Sequence, residues 1–170
     1  MTDPTAETGH DPVPSPFAPV TLAPVGVVRG GRVAAEDDGW DAETCRIELD
    51  PDRFGPAALA GLDAFSHVEV VFHFHQVDES DVVPGARRPR GRADWPEVGI
   101  FAQRGRVRPN RLGVSVARLV GVEGISLTVR GLDAIDGTPI LDVKPVLSGF
   151  LPRADVVEPS WAREIMATYW

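Results

Sequence analysis

Arginine side chains are concentrated between residues 87 and 111, and the binding of an anion is the chemistry they could serve. That window contains eight arginines and only two acids, Asp94 and Glu97, so it carries a net charge of +6 in a chain whose net charge is −8. A local positive field of this kind favours an anionic ligand or partner. A solvated arginine-rich loop that binds nothing is the alternative that composition leaves open.

Two short stretches further along the chain carry other groups that could take part in chemistry. Asp136 begins an Asp-Gly turn, and its carboxylate is a group that could accept a proton. Lys144 is the one lysine beside 16 arginines. Its ammonium could act as a point charge in a site, or it could be the structural partner of Asp142.

His73 and His75 alternate along a predicted strand and therefore share one face, as a metal-binding pair would. Because no third ligand occurs at a suggestive spacing, packing or contact with a ligand is favoured, and no metal is predicted. The single cysteine, Cys45, excludes an internal disulfide, and a reducing cytoplasm is the expected compartment.

The elements that must position these groups are mostly short strands. Alternating or β-branched stretches predict strands, whereas apolar residues at helical spacing after Pro56 predict a short helix. The predicted strands are 24–30, 45–50, 66–75, 98–103, 113–124, 125–132 and 140–147. Many short strands with one or two small helices predict a mainly β protein, a small closed or nearly closed β-barrel.

Composition changes along the chain divide it into three parts. Residues 1–21 are rich in proline and poor in large apolar groups, which predicts a disordered tail. Residues 22–152 form the barrel domain, interrupted by a long irregular segment at 76–97. Residues 153–170 form an extension with an amphipathic helix at 159–168. The sequence has no signal peptide and no apolar run long enough to span a membrane.

Three blocks of the sequence together resemble one family. They are LAGLDAFSHVEVVFHFH, VGIFAQRGRVRPNRLGVSVARL and GLDAIDGTPILDVKP, and they occur in the order and spacing of the TsaA-like (TrmO) family of tRNA methyltransferases. The resemblance implies a small β-barrel, a homodimer, and binding of S-adenosylmethionine without a glycine-rich nucleotide loop. The implied methyl acceptor is N6 of a threonylcarbamoyl-modified adenosine beside the tRNA anticodon.

The same resemblance assigns expected roles to residues of this chain. Arg104 is expected to hold an anionic group, or else to form a salt bridge with Asp133 or Asp136. The Arg108-Pro109-Asn110 block is either a functional contact or a purely structural turn. The expected cofactor-binding residues are Phe74, His75, Arg104, Val114, Leu132 and Asp133; the catalytic residues are Asn110, Asp136 and Lys144; and the substrate-binding residues are Arg90, Arg106, Arg108 and Arg111. Trp95, in the charged loop, could stack on a base.

Departures from the family pattern fall around the expected site. A Gln-Pro segment that usually follows the first strand is replaced by GGRVAAEDDGWDAE, and the C-terminal domain of longer members has no counterpart here. These changes favour a retained cofactor fold with an altered acceptor. A methyltransferase for an anionic small molecule and a non-catalytic barrel that only binds S-adenosylmethionine therefore stay as alternatives to the tRNA enzyme.

Overall fold

The computed structural model describes residues 17–170 and shows a closed six-stranded barrel, which confirms the predicted mainly β fold. All pairings are antiparallel, and the neighbour order is β1-β2-β7-β6-β3-β8, closed by pairing of β8 with β1. The barrel strands are β1 (Gly26–Arg29), β2 (Thr44–Leu49), β3 (His67–His73), β6 (Leu112–Glu123), β7 (Ser126–Arg130) and β8 (Pro139–Pro145). A separate two-stranded sheet joins β4 (Ala86–Arg87) to β5 (Val98–Gly99).

The barrel interior is filled by alternate residues of the strands. On β3, Val68, Val70 and Phe72 are buried, while the residues between them lie on the outer wall. This is the period of two that a half-buried strand requires. The same alternation fills the interior from the other strands, including Val28, Ile47, Leu127, Val129 and Ile140. The core therefore fixes which side chains of each strand face outward.

Helical structure is limited, and its type differs in part from the prediction. The predicted C-terminal helix is confirmed as α1 (Ser160–Met166). The helix predicted after Pro56 is instead two 3₁₀ turns, Pro56–Leu59 and Leu62–Ala64. Gly61 separates them with a φ of 81°, a left-handed conformation that ends the first turn and prevents one continuous helix.

The chain around residues 98–103 and the N-terminal segment bear on two further expectations. The strand predicted at 98–103 is wrong beyond Gly99, because the chain turns into a 3₁₀ helix, Ile100–Ala102, that buries Ile100 and exposes Phe101. Residues 1–16 of the predicted disordered tail lie outside the described residues. Residues 17–21 contain no helix or strand and are exposed.

Candidate functional site

One end of the barrel gathers most of the residues expected to bind the cofactor. At this end β1, β3 and β7 finish while β2, β6 and β8 begin, as the register shows by pairing His73 with Leu112 and Phe72 with Ile140. The expected residues that follow or precede these strand ends are Phe74, His75, Asn110, Leu132, Asp133 and Asp136. The antiparallel topology therefore brings together segments that are up to 62 positions apart in the sequence, the separation of Phe74 and Asp136.

Asp133 presents an incompletely satisfied carboxylate at this end. Its Oδ2 accepts a hydrogen bond from the phenolic OH of Tyr169 at 2.5 Å. Its Oδ1 is buried and has no hydrogen-bond partner among residues 17–170. A buried carboxylate oxygen without a donor is costly, so this position suits a ligand that supplies a hydroxyl or an amine. The adjacent Leu132 is almost fully buried and anchors the loop to the core.

Tyr169 itself belongs to a C-terminal segment, residues 160–170, whose position at this end of the barrel was not predicted. Its carbonyl and that of Thr168 accept hydrogen bonds from the backbone N–H groups of Trp40 and Gly39, at 2.9 and 3.0 Å. Burial, and then the neighbouring Asp133 carboxylate, raise the pKa of Tyr169, so the phenol stays protonated and donates. No sequence signal marks this residue, because its partners are distant in the chain.

Beside the Asp133–Tyr169 pair, strand β6 has a backbone edge without a strand partner. Strand β7 pairs only with Arg118–Glu123, so residues 112–117 of β6 have β3 as their one neighbouring strand. The carbonyl of Val114 on this edge accepts a hydrogen bond from the Arg104 guanidinium at 2.5 Å. The groups of this edge other than the Val114 carbonyl have no strand partner, and such N–H and C=O groups can recognise the hydrogen-bonding edge of a base such as adenine.

Arg104 does not form the salt bridge that was the structural alternative for it. Among the described residues it is exposed and makes no ion pair with Asp133 or Asp136. Its positive charge lowers the pKa of Tyr169, but this effect is smaller than that of burial, which raises the same pKa. Arg104 is therefore available to hold an anionic group next to the Tyr169–Asp133 pair.

Phe74 and His75 leave β3 at the other side of the same barrel end. Phe74 packs edge-on against Phe72 with ring centroids 5.2 Å apart, and its N–H donates to the carbonyl of Arg111 at 2.8 Å. His75 lies beside Gly137, where an added Cβ would be 3.9 Å from its Nε2. Burial, and then the positive charge of Arg111, lower the pKa of His73.

Asp136 closes the loop that follows β1. Its Oδ1 accepts a hydrogen bond from the N–H of Gly30 at 2.7 Å, and its own N–H donates to the carbonyl of Arg32. Gly137 has a φ of 79°, which confirms the predicted Asp-Gly turn. One carboxylate oxygen of Asp136 thus has a structural partner, and Oδ2 has no hydrogen bond within the described part of the chain.

The Arg108–Arg111 turn is present, with the N–H of Arg111 donating to the carbonyl of Arg108 at 2.9 Å. The left-handed residue is Arg111, with a φ of 50°, whereas Asn110 was the residue expected to tolerate that conformation. A non-glycine residue in this region costs about 1 kcal/mol or more. The hydrogen bond from the Arg111 guanidinium to the carbonyl of Val77 helps to hold it.

The eight arginines of residues 87–111 divide into two groups. Three pair with carboxylates: Arg90 with Asp38 at 2.6 Å, Arg106 with Asp37 at 4.0 Å, and Arg92 with Asp94. The other five make no ion pair among the described residues, and the hydrogen bonds that their guanidinium groups donate go to backbone carbonyls. These five are Arg87, Arg88, Arg104, Arg108 and Arg111. A hydrogen bond to a backbone carbonyl does not neutralise the charge of a guanidinium group, so these five arginines keep their positive charge without a carboxylate partner. They are called the cationic surface below.

Lys144 lies away from the loops that gather at this end. It is on the outer wall of β8, opposite Glu69 of β3, and its ammonium pairs with Asp142. That pairing raises the pKa of Lys144. The structural partnership with Asp142 is therefore present, and a catalytic role for Lys144 stays a prediction.

Trp95 is not placed to stack on a base. Its side chain is buried, its indole N–H donates to Glu164 of α1 at 2.8 Å, and the Arg92 guanidinium lies 4.1 Å from its ring centroid. The bond to Glu164 ties the arginine-rich loop to the C-terminal segment.

Within residues 17–170 there is no cluster of three or more metal-ligating side chains. No helix in the same range is long and apolar enough to cross a membrane.

Comparison with solved structures finds the same fold. The crystal structure of TrmO from Pseudomonas aeruginosa matches with a TM-score of 0.67 and 31% identity, over 83% of this chain and 62% of that one. A second structure of TrmO matches with a TM-score of 0.67 and 32% identity, over 83% of this chain and 64% of that one.

Comparison with curated proteins finds relatives that are named as methyltransferases, two of them as tRNA methyltransferases. The tRNA (adenine(37)-N6)-methyltransferase of Escherichia coli is 42% identical over 96 residues, which cover 53% of this chain and 40% of that protein. The human protein of the same name is 36% identical over 102 residues, 60% of this chain and 23% of that one. RcsF of Pseudomonas aeruginosa is 42% identical over 111 residues, 65% of this chain and 46% of that protein.

The chain spans less than half the length of these three relatives. Residues 34–155 match the tRNA-methyltransferase O N-terminal domain. This range contains the residues of the barrel end except Gly30 and Arg32, which follow β1, and those of the C-terminal segment. The barrel, its loops and the sequence match agree, and the chain belongs to the tRNA-methyltransferase O N-terminal domain family.

Proposed function

We propose that this protein is an S-adenosylmethionine-dependent methyltransferase that acts in the cytoplasm on N6 of a threonylcarbamoyl-modified adenosine next to the tRNA anticodon. Family membership supports the methyl donor, and the names of the E. coli and human relatives support the acceptor. One observation at Asp133 carries the proposal. A buried oxygen of its carboxylate has no donor and lies beside the edge of β6 that has no strand partner.

The residues present at the barrel end fit this cofactor. S-adenosylmethionine supplies an electrophilic methyl group on a positively charged sulfur. Asp133 Oδ1 would accept a hydrogen bond from a hydroxyl or amine of the cofactor, and the β6 edge at Val114 would meet its adenine. Arg104 would hold its carboxylate. Phe74 and Leu132 would supply apolar walls, and His75 a further polar contact.

The chain's own contribution to methyl transfer would be mainly positioning. Holding donor and acceptor in line can supply a large part of the rate of such a displacement. Asp136 Oδ2 would accept a hydrogen bond from the acceptor N–H and take its proton. The Asn110 side chain, exposed on the turn before β6, would contact the edge of the acceptor base. Lys144, which lies away from this end of its own barrel, would act through its positive charge at the site of a second copy.

The cationic surface favours an RNA substrate over a small anionic molecule. Five arginines without carboxylate partners extend from the β4 strand to the start of β6, a larger area than one carboxylate or phosphate group would need. Phosphate contacts by such side chains supply much of the affinity of proteins for nucleic acids. Arg108 and Arg111 would contact the RNA near the site, whereas Arg90 and Arg106 would do so only by exchanging their partners Asp37 and Asp38 for phosphate.

We also propose a homodimer, supported by apolar side chains on the outside of the barrel. Val116 on β6 is 44% exposed, and in the segment after β8 Leu147, Phe150 and Leu151 are 44, 87 and 50% exposed. Apolar surface of this kind is typical of contacts between subunits. Lys144, Glu69 and Val116 form one row across the same wall, so a second copy could bring Lys144 to a neighbouring site.

Transfer of a labelled methyl group tests the proposed reaction. The protein is incubated with S-adenosylmethionine and with tRNA that either carries or lacks the threonylcarbamoyl mark. We expect label in the marked tRNA only, and loss of that label when Arg104 is replaced by Ala, whereas Arg153→Ala, which changes another exposed arginine outside the site, retains it. Label that appears in small molecules of an RNase-treated extract would favour the anionic small-molecule substrate. Cofactor binding without any labelled product would favour the non-catalytic barrel.

A further inference from the structure

Three basic side chains form a row across the outer wall of the barrel. His67 on β3 is directly opposite Arg118 on β6, and Arg118 is directly opposite Arg130 on β7. Directly opposed residues of antiparallel strands have their Cβ atoms about 4.5–5.5 Å apart. All three are exposed, so their side chains share one small area of surface outside the residues 87–111 that the sequence singled out.

A pocket of about 210 Å³ lies over this row. Besides the three basic residues, it is lined by Asp41, Val116, Gly131 and Trp170. Trp170 is 49% exposed and packs edge-on against Tyr169 with ring centroids 5.0 Å apart. The pocket therefore has a cationic floor and an aromatic wall.

The positive charges of the pocket are balanced only in part within the protein, since Arg130 has a carboxylate partner and Arg118 has none. Arg130 donates to the backbone carbonyl of Asp41 at 2.7 Å and to its carboxylate at 3.2 Å. The side chain of Arg118 makes no hydrogen bond or ion pair with any residue from 17 to 170. Like charges directly opposite each other on a sheet are destabilising, so the Arg118–Arg130 pair has a cost that a bound anion would offset.

The pocket adjoins the candidate methyl-transfer site through two chain segments. Gly131 of the pocket is followed by Leu132 and Asp133, and Trp170 is preceded by Tyr169, which donates to Asp133. A group bound in the pocket would therefore lie next to a ligand bound at Asp133. A nucleic acid strand has the chemistry for both places, since it carries a base and a flanking phosphate.

We propose that this pocket binds a backbone phosphate of the RNA substrate, with Arg118 as the main contact and His67 and Arg130 beside it. This inference rests on the proposed function. Trp170 provides a face on which an unpaired base next to that phosphate stacks. Phosphate contacts of this kind set the position of a nucleic acid without reading its sequence, so the pocket orients the strand relative to Asp133.

The salt dependence of tRNA binding tests the pocket. Affinity for an unmodified tRNA transcript is measured over a range of salt concentrations for the wild type, Arg118→Gln, Arg118→Lys and Arg153→Gln. Loss of one phosphate contact lowers the slope of log affinity against log salt by about 0.7–1. We expect that loss for Arg118→Gln only. Arg118→Lys keeps the charge and the slope, and Arg153→Gln controls for the removal of one exposed arginine elsewhere.

Two results would overturn the inference, and they are distinguishable. If the wild type binds tRNA with a steep slope but Arg118→Gln has the slope of Arg153→Gln, the pocket does not contact phosphate and the proposed function is unaffected. If the wild type does not bind tRNA even at low salt, the proposed RNA substrate is wrong, and the inference is wrong with it.

Discussion

The phenolic OH of Tyr169 and the carboxylate of Asp133 form a hydrogen bond that joins the C-terminal segment to the loop between β7 and β8. The two residues are 36 positions apart, and the bond is 2.5 Å long. Because Asp133 Oδ1 has no partner within residues 17–170, Tyr169 supplies the one hydrogen bond that this carboxylate receives there. The C-terminal segment is therefore a structural part of the candidate site.

Tyr169→Phe is expected to destabilise the protein without removing the aromatic ring. The change leaves both oxygens of Asp133 without a donor, and an unsatisfied buried acceptor costs about 1–3 kcal/mol. We expect the free energy of unfolding to fall by that amount, measured by chemical denaturation. We also expect weaker binding of S-adenosylmethionine, measured by calorimetry, because Asp133 would lose its fixed orientation.

A double-mutant cycle with Asp133→Ala, which removes the acceptor, separates this bond from general effects of the substitution. If the two side chains stabilise each other, their effects are not additive, with a coupling of at least about 0.5 kcal/mol. Purely additive effects would show that the Tyr169–Asp133 hydrogen bond contributes nothing to stability.

The barrel could be predicted from the sequence because its signals are local. The alternation in residues 67–73 and the Asp136-Gly137 turn depend only on neighbours in the chain, and both are observed. The pairing of Arg90 with Asp38 and of Trp95 with Glu164 depends on residues 52 and 69 positions apart. No local pattern encodes such contacts, which is why the arginine-rich window and Trp95 gave expectations that the structure modifies.

The left-handed conformation of Arg111 shows a similar limit. The sequence indicated a turn, and asparagine is the residue that ordinarily accepts a positive φ within one. The start of β6, and the hydrogen bond from the Arg111 side chain to Val77, set the conformation one residue later. Tertiary contacts thus decided a backbone angle that local preference would have placed at Asn110.

Gly113→Ala is expected to destabilise the barrel because of a steric conflict with Phe72. A Cβ at position 113 would lie 2.3 Å from two atoms of the Phe72 ring, which is almost fully buried and packed against Phe74. Overpacking in a core costs about 1–3 kcal/mol. The free energy of unfolding, measured by denaturation, should fall by that amount.

Gly121→Ala on the same strand is the matched control. An added Cβ there has no neighbour within 4 Å, so we expect little change in stability. If the two variants lose equal stability, the effect comes from the strand backbone and not from the contact with Phe72.

The stability of the protein is expected to fall in alkaline solution because of Cys45. Burial, and then the negative charge of Glu43, raise the pKa of its thiol from the ordinary 9.0 to about 11. Below pH 9 the thiol is neutral in both the folded and the unfolded protein. Between pH 9 and 11 the unfolded protein loses this proton and the folded protein keeps it, so the free energy of unfolding decreases as pH rises. Two units of pKa correspond to about 2–3 kcal/mol.

Cys45→Ala isolates this contribution, because the ionisation of Tyr169 affects the wild type and the variant equally. We expect the wild type to lose about 2–3 kcal/mol more than the variant between pH 9 and 11, when both are unfolded chemically at a series of pH values. The buried thiol should also react slowly with a maleimide in the folded protein, since the thiolate is the reactive form. Parallel curves for the two proteins would mean that the folded protein does not hold the Cys45 thiol in its neutral form over this range.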